Sequence, residues 1–393
     1  MKFFLKYHLL TLLLGFLLAY LCLGILIKTS VLTGTQKTSK TVRGTVIPAS
    51  NYFQNLTENE SQELQLLASL REKSGITLFG SSELSSESQY NPYLFLPKTF
   101  NIRVNSFGRA FHQNLSIYCQ LLAVKKELKN ANICIILSPG WFEENGSHIE
   151  GFLEYARPNF LQQIIRDETI SVADKKYLGE FLSKNYGLIE NPNNAIQYLV
   201  NLYRFQSFPV LNKFFENRKM EISPIVYDLN LEKVQNQQKV NDFNFEKAKQ
   251  LALQKFRLIS ANNKLFVSDS YFNEFIKKAD GTIRKGHFDD LDANSNLELR
   301  DFEKVLKLLK SSNCKASFIM QPLNPYHYDN LSTFNPILKK IKARLEQEKI
   351  PFLNLFTSSK SNYVGGILVD IMHCGDYGWL EVDEFLYKTY AKK

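Results

Sequence analysis

Two short segments of the sequence carry the residue types that nucleophilic catalysis requires. Gly80-Ser-Ser-Glu83 directly follows a short apolar run. A glycine there permits a sharp turn, and a serine just beyond it can present its hydroxyl while backbone N–H groups face a developing oxyanion. Asp370-Ile-Met-His373 precedes the last helical pattern. It can supply a general base and the carboxylate that fixes the tautomer of that base.

Each segment also has a simpler explanation when it is taken alone. Ser-Ser-Glu is an ordinary helix N-cap with Glu83 in the first turn, and this explanation is favoured for the first segment. Asp370 can cap the last helix, and His373 can be a buried structural residue. Because the chain has only six histidines, the catalytic and structural explanations of the second segment weigh evenly. Together the two segments predict a Ser-His-Asp triad.

The elements around these segments alternate between apolar strands and helical patterns. Short apolar runs predict strands at 76–79, 101–104, 133–137, 316–320 and 352–356. Helical patterns separate them at 116–128, 299–309, 335–346 and 377–390. This alternation predicts an α/β fold in which helices cover both faces of a parallel sheet. Ligands of such sheets bind at the carboxyl ends of the strands, which is where Gly80 lies.

The N-terminal end of the chain predicts a membrane anchor. Residues 9–27 form a nearly unbroken apolar run with the length of one bilayer crossing. The exit at Lys28 lacks the small residues of a cleavage site, so an uncleaved anchor is favoured over a cleaved signal peptide. Basic residues follow the run as well as precede it, which leaves the orientation open. We assign 1–28 to the transmembrane anchor, 29–65 to a juxtamembrane linker and 66–393 to one catalytic domain, with a mainly helical insertion at about 141–300.

The composition restricts the class of protein. With 393 residues and 44% hydrophobic residues, the chain can bury a sizeable core, which excludes wholesale disorder. The net charge of +9 favours an anionic partner. The chain has no dense Lys/Arg run and no RNA-binding or helix-turn-helix motif, so nucleic acid is not expected as a partner. Its five cysteines include no C-x-x-C pair, which favours buried free thiols over a disulfide framework.

The sequence predicts no metal site and no cofactor. Oxygen-bearing residues alternate from Asp290 to Glu298 as in a calcium loop, but Ser295 stands where that loop needs glycine. A polar loop that caps the next helix is therefore favoured. His112 and His148 have no metal-ligand spacing.

The two catalytic segments together resemble the SGNH/GDSL hydrolase superfamily, which combines Gly-x-Ser after the first strand with Asp-x-x-His before the last helix. Within it, the chain resembles the DltD family, the D-alanyl transfer proteins of teichoic acid D-alanylation. The resemblance covers nearly the whole chain. It is carried by the N-terminal anchor and by the motifs Leu78-Phe-Gly-Ser-Ser-Glu-Leu84, Gly108-Arg-Ala-Phe-His-Gln-Asn-Leu115, Leu137-Ser-Pro-Gly-Trp-Phe142, Gln321-Pro-Leu-Asn-Pro325, Val369-Asp-Ile-Met-His-Cys374 and Gly378-Trp379.

The resemblance implies a role for each matched residue. Ser82 corresponds to the nucleophile, with Ser81 as the less favoured alternative, while His373 corresponds to the base and Asp370 to its orienting acid. The oxyanion-hole candidates, besides the backbone N–H of Ser82, are Gly108, Gly140 and Trp141. Relatives carry a side-chain donor directly before the tryptophan, whereas this chain has Gly140, so only a backbone N–H can serve there. The substrate-binding candidates are Glu83, Arg109, Asn324 and His327.

The resemblance also implies a fold and a function. The fold is a three-layer α/β sandwich with a central parallel sheet, SGNH or flavodoxin-like, preceded by one transmembrane helix. The function is D-alanyl transfer to teichoic acid through an acyl-serine intermediate outside the cytoplasm, with a membrane-bound, DltB-like O-acyltransferase as partner. This places the N-terminus in the cytoplasm and the catalytic domain outside. An esterase that removes acyl groups or mischarged carriers and a non-catalytic scaffold for the O-acyltransferase are the alternatives.

Overall fold

The structure is a computed structural model that describes residues 11–12, 14–18, 41–47, 51–53, 59–143, 146–217, 226–231 and 243–391. Residue contacts divide the chain into two compact units. The smaller unit comprises residues 1–42 and 171–226, and the larger comprises residues 43–170 and 227–393. Both predicted catalytic segments belong to the larger unit.

The elements follow in chain order. The strands are β1 (Thr41–Ile47), β2 (Asn51–Phe53), β3 (Ile76–Phe79), β4 (Val104–Phe107), β5 (Asn132–Leu137), β6 (Val226–Leu231), β7 (Gly286–His287), β8 (Lys315–Met320), β9 (Tyr328–Asp329) and β10 (Phe352–Asn354). The helices are α1 (Asn59–Arg71), α2 (Pro92–Phe100), α3 (Asn114–Ala123), α4 (Pro139–Glu143), α5 (Ile149–Ala156), α6 (Pro158–Arg166), α7 (Val172–Lys184), α8 (Asn194–Arg204), α9 (Pro209–Asn217), α10 (Phe245–Ile259), α11 (Asp269–Tyr271), α12 (Leu297–Ser311), α13 (Asn335–Gln347) and α14 (Asp376–Tyr390).

A six-stranded sheet organises the larger unit. Its order is β10-β8-β5-β3-β4-β2, and every neighbouring pair is parallel. β3 pairs with both β4 and β5, so successive strands are added first on one side of β3 and then on the other. The register aligns Phe79 with Phe107 and with Ile135, which brings the carboxyl ends of these three strands to one edge. The prediction of an α/β fold with a central parallel sheet is confirmed.

Both faces of this sheet are buried under helices. On one face, Ile76, Leu78 and Ile136 pack with apolar residues of α2, α10 and α14. On the other face, Phe318 of β8 contacts Phe302 of α12, with ring centroids 5.5 Å apart. Because side chains on both faces avoid water, β3 and β5 read as mainly apolar runs rather than as alternating ones. β4 differs, since the buried Asn105 and Ser106 lie at its centre.

The smaller unit contains the helices α7, α8 and α9. Side-chain caps begin the first two: the Ser171 hydroxyl accepts from the N–H of Asp174, and Asn193 caps α8 in the same way. Gly179 allows α7 and α8 to approach closely, because a Cβ at this position would lie 2.2 Å from the carbonyl oxygen of Leu199.

One predicted strand is wrong in position. The prediction put the second strand at 101–104, but β4 begins at Val104 and ends at Phe107. The residues before it form α2, which ends where Asn101 adopts a left-handed backbone with φ of 56°. Pro97 lies inside this helix, where proline is normally disfavoured, so propensity argued against a helix there.

The polar run from Asp290 to Glu298 caps a helix, as predicted. The side chain of Asn296 accepts from the N–H of Leu299 at the start of α12. Asp292 accepts from the N–H of Asn294 and closes the preceding turn. Asp292 and Asn296 therefore serve local backbone groups, whereas Glu298 accepts from the backbone N–H and the side chain of Asn114.

Most of the predicted anchor at 1–28 and much of the predicted linker at 29–65 lie outside the described residues. Residues 11–12 and 14–18 are described and are helical. Within the described part of the chain, no helix has both the length and the apolar character that a bilayer crossing requires.

Candidate active site

The turn after β3 holds two serines in different environments. The chain turns at Gly80 and enters a short 3-10 helix that begins at Ser82. Ser81 is buried, and its hydroxyl donates to the carbonyl oxygen of Arg109 at 3.1 Å. Ser82 is half-buried, and its Oγ lies 3.1 Å from Nε2 of His373. This geometry favours Ser82 over Ser81 as the nucleophile, because only Ser82 is within hydrogen-bond reach of a base.

Asp370 closes the short loop that carries the base. Its Oδ1 accepts from the backbone N–H groups of Met372 (2.8 Å) and His373 (2.6 Å). Its Oδ2 lies 2.7 Å from Nδ1 of His373. One carboxylate thus shapes the loop and orients the imidazole, so that Nε2 faces Ser82. The structure brings the three predicted triad residues together in the order Asp370, His373, Ser82.

The charges of the pair favour an ionised Asp370 beside a basic imidazole. Burial disfavours the charged form of His373, but the hydrogen bond and the charge of Asp370 outweigh it and raise the pKa of His373 above its ordinary value. Burial likewise raises the pKa of Asp370, but its hydrogen bonds and charge interaction with His373 give a net lowering. A base with this partner is suited to accept a proton from a hydroxyl near neutral pH.

Gly108 places the end of β4 against the turn at 80–82, which carries the candidate nucleophile and is called the nucleophile turn below. It has φ of 139°, and a Cβ there would lie 2.0 Å from the carbonyl oxygen of Gly80. Only glycine allows this approach. Gly80 follows β3, and the strand order reverses between β3 and β5, while Gly108 follows β4 on the other side of β3. In open α/β sheets the binding crevice forms at such a point.

Comparison with known proteins identifies the family of the chain. A sequence model described as DltD protein matches residues 53–391. The chain belongs to the DltD family. Protein DltD of Bacillus subtilis (strain 168) is 23% identical to it over 351 residues, which cover 81% of this chain and 84% of that protein. The resemblance to the DltD family seen in the sequence is thereby confirmed.

In this DltD-family protein, three hydrogen bonds connect the loop of His373 to the rest of the larger unit. Gln321, at the end of β8, donates from Nε2 to the carbonyl oxygen of Met372. Asn324 donates its backbone N–H to the carbonyl oxygen of Ile371 at 3.1 Å. The N–H of Ser268 donates to the carbonyl oxygen of Val369 at 2.9 Å. These bonds fix the base relative to the strand ends.

Two predicted substrate contacts lie in the protein interior. Glu83 is 1% exposed, and its Oε1 accepts from the N–H of Ser81 at 2.6 Å. Burial raises the pKa of Glu83 to about 7, against the opposing effects of backbone hydrogen bonds and of His373. Asn324 is fully buried, and its Nδ2 donates to the carbonyl oxygen of Leu265. Both side chains hold the turns of the site from inside rather than facing a ligand.

The other two predicted substrate contacts reach different surroundings. Arg109 is half-exposed, and its guanidinium pairs with Glu154 at 3.0 Å. Its backbone N–H donates to the hydroxyl oxygen of Tyr155 at 3.1 Å. His327 follows Asn324 by three residues. It is buried and lines a polar pocket.

The DltD-family chain has no side-chain donor in the third oxyanion position. Gly140 and Trp141 lie in the short helix α4, directly after β5. The N–H of Trp141 donates to the carbonyl oxygen of Ser138 at 3.2 Å, so this donor already has a partner within the turn. Among the predicted oxyanion residues, Gly108 approaches Gly80 of the turn closely.

His112 supports the nucleophile turn, and the sequence considered it only as a metal ligand. It is fully buried, and its Nδ1 lies 3.0 Å from the carbonyl oxygen of Gly80. Its ring stacks on Tyr155, with centroids 4.1 Å apart. Burial lowers the pKa of His112 to about 4 despite the hydrogen bonds that favour the cation, so the imidazole is neutral. Its position inside the motif Gly108–Leu115 was the available signal.

Among the described residues, no group of His, Cys, Asp and Glu side chains is arranged to hold a metal ion. Cys119, Cys134 and Cys374 are buried free thiols, and Cys314 is a half-buried one. Cys22 lies outside the described residues.

Proposed function

We propose that this protein is an extracytoplasmic serine acyltransferase that acts in the D-alanylation of teichoic acids. The observation that carries the proposal is the alignment of Ser82, His373 and Asp370 at the carboxyl ends of a parallel sheet, with distances of 3.1 Å and 2.7 Å between neighbours. Such an alignment activates a hydroxyl for attack on an acyl carbonyl. Membership of the DltD family supports D-alanyl as the acyl group and teichoic acid as the acceptor.

The reaction proceeds in two half-steps. In the first, His373 Nε2 takes the hydroxyl proton while Oγ of Ser82 attacks the carbonyl carbon of a D-alanyl donor. The tetrahedral oxyanion collapses, the bond to the donor breaks, and the imidazolium returns its proton to the leaving group. In the second, His373 deprotonates a polyol hydroxyl of the acceptor, which attacks the acyl-Ser82 ester. Collapse transfers D-alanine to the acceptor and restores the serine hydroxyl.

Backbone groups stabilise the two oxyanions. The N–H of Ser82 and the strand end at Gly108 flank the carbonyl position, as an oxyanion hole requires. Asp370 stabilises the imidazolium that forms in each half-step. The strand order β4-β3-β5-β8-β10 is that of flavodoxin-like sheets, and it supports assignment of the larger unit to the three-layer SGNH type.

The setting of the reaction follows from the family and from the N-terminal apolar run. In this proposal the apolar run at 9–27 anchors the protein in the membrane, and the catalytic domain lies outside the cytoplasm. A membrane-bound, DltB-like O-acyltransferase supplies the D-alanyl group. The net charge of +9 suits an acceptor made of phosphodiesters.

Intact mass spectrometry after exposure to a fluorophosphonate tests the serine assignment. We expect one covalent adduct on the wild-type protein, none on Ser82→Ala and a retained adduct on the matched variant Ser81→Ala. An activated D-alanyl ester should give the corresponding acyl adduct, which a polyol acceptor then discharges. Absence of an adduct on the wild-type protein is the result expected of a non-catalytic scaffold. Labelling of Ser82→Ala but not of Ser81→Ala would identify Ser81 as the nucleophile instead.

Hydrolysis is the second candidate activity. The side chain of His373 is 32% exposed, so water can reach the acyl-serine ester by the same route as a polyol hydroxyl. The same triad serves both nucleophiles. Comparing the release of free D-alanine with the yield of acylated polyol separates the two activities.

A further inference from the structure

A polar pocket of about 260 Å³ lies next to the loop that carries the base. Its wall includes residues 325–332, together with Lys285 and Lys360 from two other segments. Asn324 directly precedes this wall, and its N–H bonds to the carbonyl oxygen of Ile371. The pocket wall is therefore fastened to the same loop as Asp370 and His373.

Two ammonium groups make the pocket positive. The Nζ atom of Lys360 lies 5.6 Å from the ring centroid of Tyr326, a position that favours the cation over the aromatic face. Lys285 lies close enough to His327 for its charge, together with the larger effect of burial, to lower the pKa of that imidazole. His327 is therefore neutral near pH 7, and the fixed positive charge of the pocket comes from the lysines.

His327 has an unused polar atom. The residue is 6% exposed, and within the described part of the chain its buried Nδ1 has no hydrogen-bond partner. Buried polar atoms of folded proteins are nearly always paired. A neutral imidazole carries its proton on one ring nitrogen and can donate from it, and the residue lines the pocket.

One carboxylate also lines the pocket. Asp329 pairs with Nδ1 of His287 at 2.5 Å on the exposed side, which offsets part of its charge. The hydroxyl group of Ser332 adds a neutral polar group to the wall, whereas that of Ser358 is bonded to the side chain of Asn335. The pocket is thus suited to a small anion that carries several acceptor oxygens, which is the chemistry of a phosphate group.

We propose that this pocket binds one phosphodiester group of the polyol polymer and thereby holds the acceptor beside the loop of His373. The inference rests on the proposed function for the identity of the polymer. Lysine binds phosphate as a point charge, and a pocket smaller than those for drug-sized ligands suits one repeating unit. The neighbouring polyol hydroxyl of the same chain is then the acceptor.

Calorimetry with the full-length protein in detergent tests the binding directly. The probe is a synthetic glycerol phosphate trimer, and its comparison is an uncharged polyglycerol of the same length. We expect the trimer to bind and the polyglycerol not to bind. Lys285→Gln and Lys360→Gln should each weaken binding of the trimer roughly tenfold, because each removes one charge-assisted contact. The matched control is Lys339→Gln, which changes an exposed lysine of α13 outside the pocket.

The same measurement identifies results that overturn the proposal. Equal loss of affinity in Lys339→Gln and in the pocket variants indicates diffuse attraction rather than a site. Saturable binding of inorganic phosphate without binding of the trimer rejects the polymer as ligand. Binding only to vesicles that contain phosphatidylglycerol assigns the phosphate to a lipid headgroup instead of the acceptor.

Fluorophosphonate labelling of Ser82 keeps the two proposals separable. We expect Lys285→Gln and Lys360→Gln to be labelled at the wild-type rate, because the acceptor takes no part in that reaction. Normal labelling combined with absence of trimer binding rejects the pocket and leaves the proposed function standing. Trimer binding that depends on both lysines, in a protein that Ser82 reagents do not label, supports the pocket and rejects the serine mechanism.

Discussion

At the scale of single residues, the two oxygens of Asp370 have separate tasks. Oδ1 accepts two backbone N–H groups and folds the loop, whereas Oδ2 bonds to Nδ1 of His373. A substitution that keeps the shape of Asp370 but removes its charge therefore distinguishes catalysis from loop formation.

We expect Asp370→Asn to remain folded and to lose about four orders of magnitude in acylation rate, as the corresponding change does in serine proteases. The amide presents a donor to Nδ1, so the imidazole proton moves to Nε2 and faces Ser82. The measurement is the rate of fluorophosphonate labelling, with the thermal midpoint as the control for folding. A near-wild-type rate at an unchanged midpoint removes Asp370 from the catalytic group.

The acidic limb of the labelling rate should have its midpoint above pH 6.5. Only neutral His373 accepts a proton, and Asp370 raises the pKa of His373 above that ordinary value, so the rate falls as pH decreases through the raised pKa. Glu83 titrates nearby because burial raises its pKa to about 7. Glu83→Gln is therefore the control. Because the charge of Glu83 contributes to the raised pKa of His373 but less than Asp370 does, this variant should lower the midpoint only slightly. A midpoint below 6.5 contradicts the pairing of His373 with Asp370.

At the scale of elements, helix α14 connects the core with the nucleophile turn. Trp379 is fully buried against the sheet, and its indole N–H donates to the hydroxyl of Ser86 at 3.1 Å. Lys249 of α10 pairs with Glu381 at 2.8 Å and joins the two helices. One residue of α14 opposes this arrangement. Asp383 is completely buried, and among the described residues neither of its oxygens has a hydrogen-bond partner.

We expect Asp383→Asn to stabilise the protein at pH 7 by at least about 1 kcal/mol. Burial raises the pKa of Asp383 well above its ordinary value, so folding at pH 7 requires a proton that the unfolded chain does not hold. The stability of the wild type is therefore fully present below the unfolded pKa and declines as pH rises above it. Thermal midpoints of both proteins at pH 4 and pH 7 provide the test. A gain at pH 4 as large as that at pH 7 shows that ionisation is not the cause.

At the scale of the whole molecule, the position of the catalytic unit relative to the membrane determines which acceptor it can reach. In the proposed function, the apolar run at 9–27 is the membrane anchor and the acceptor polymer lies outside the cell membrane.

A protease added to intact spheroplasts should digest the chain beyond Lys28 and leave a short N-terminal fragment. The expectation follows from an N-terminus in the cytoplasm and a catalytic unit outside. Immunoblotting for the C-terminal region follows the digestion, and a cytoplasmic protein that stays intact controls for lysis. Protection of the C-terminal region contradicts both the orientation and the proposed substrate.

The sequence by itself determined the elements whose signals are local. Continuous apolar runs predicted β3, β5 and β8, because strands buried on both faces avoid polar residues throughout. Asp370 and His373 are three residues apart, so their contact needs only one loop. The predicted position of β4 was wrong, because Pro97 has a low helix propensity and α2 is therefore not apparent in the sequence. Packing of Phe95 and Leu96 in the core stabilises this helix despite the proline.

Only the tertiary structure decided which residues meet across the sequence. Ser82 and His373 are 291 residues apart, and the order of the strands brings them together. The choice of Ser82 over Ser81 depends on tertiary contacts of the two hydroxyls. That of Ser82 lies beside Nε2 of His373, whereas that of Ser81 donates to the carbonyl oxygen of Arg109. Burial of Glu83 beneath the turn has the same origin. A residue pattern records the chemistry that a side chain can perform, but its partners and its exposure are set by packing between distant segments, which local sequence does not contain.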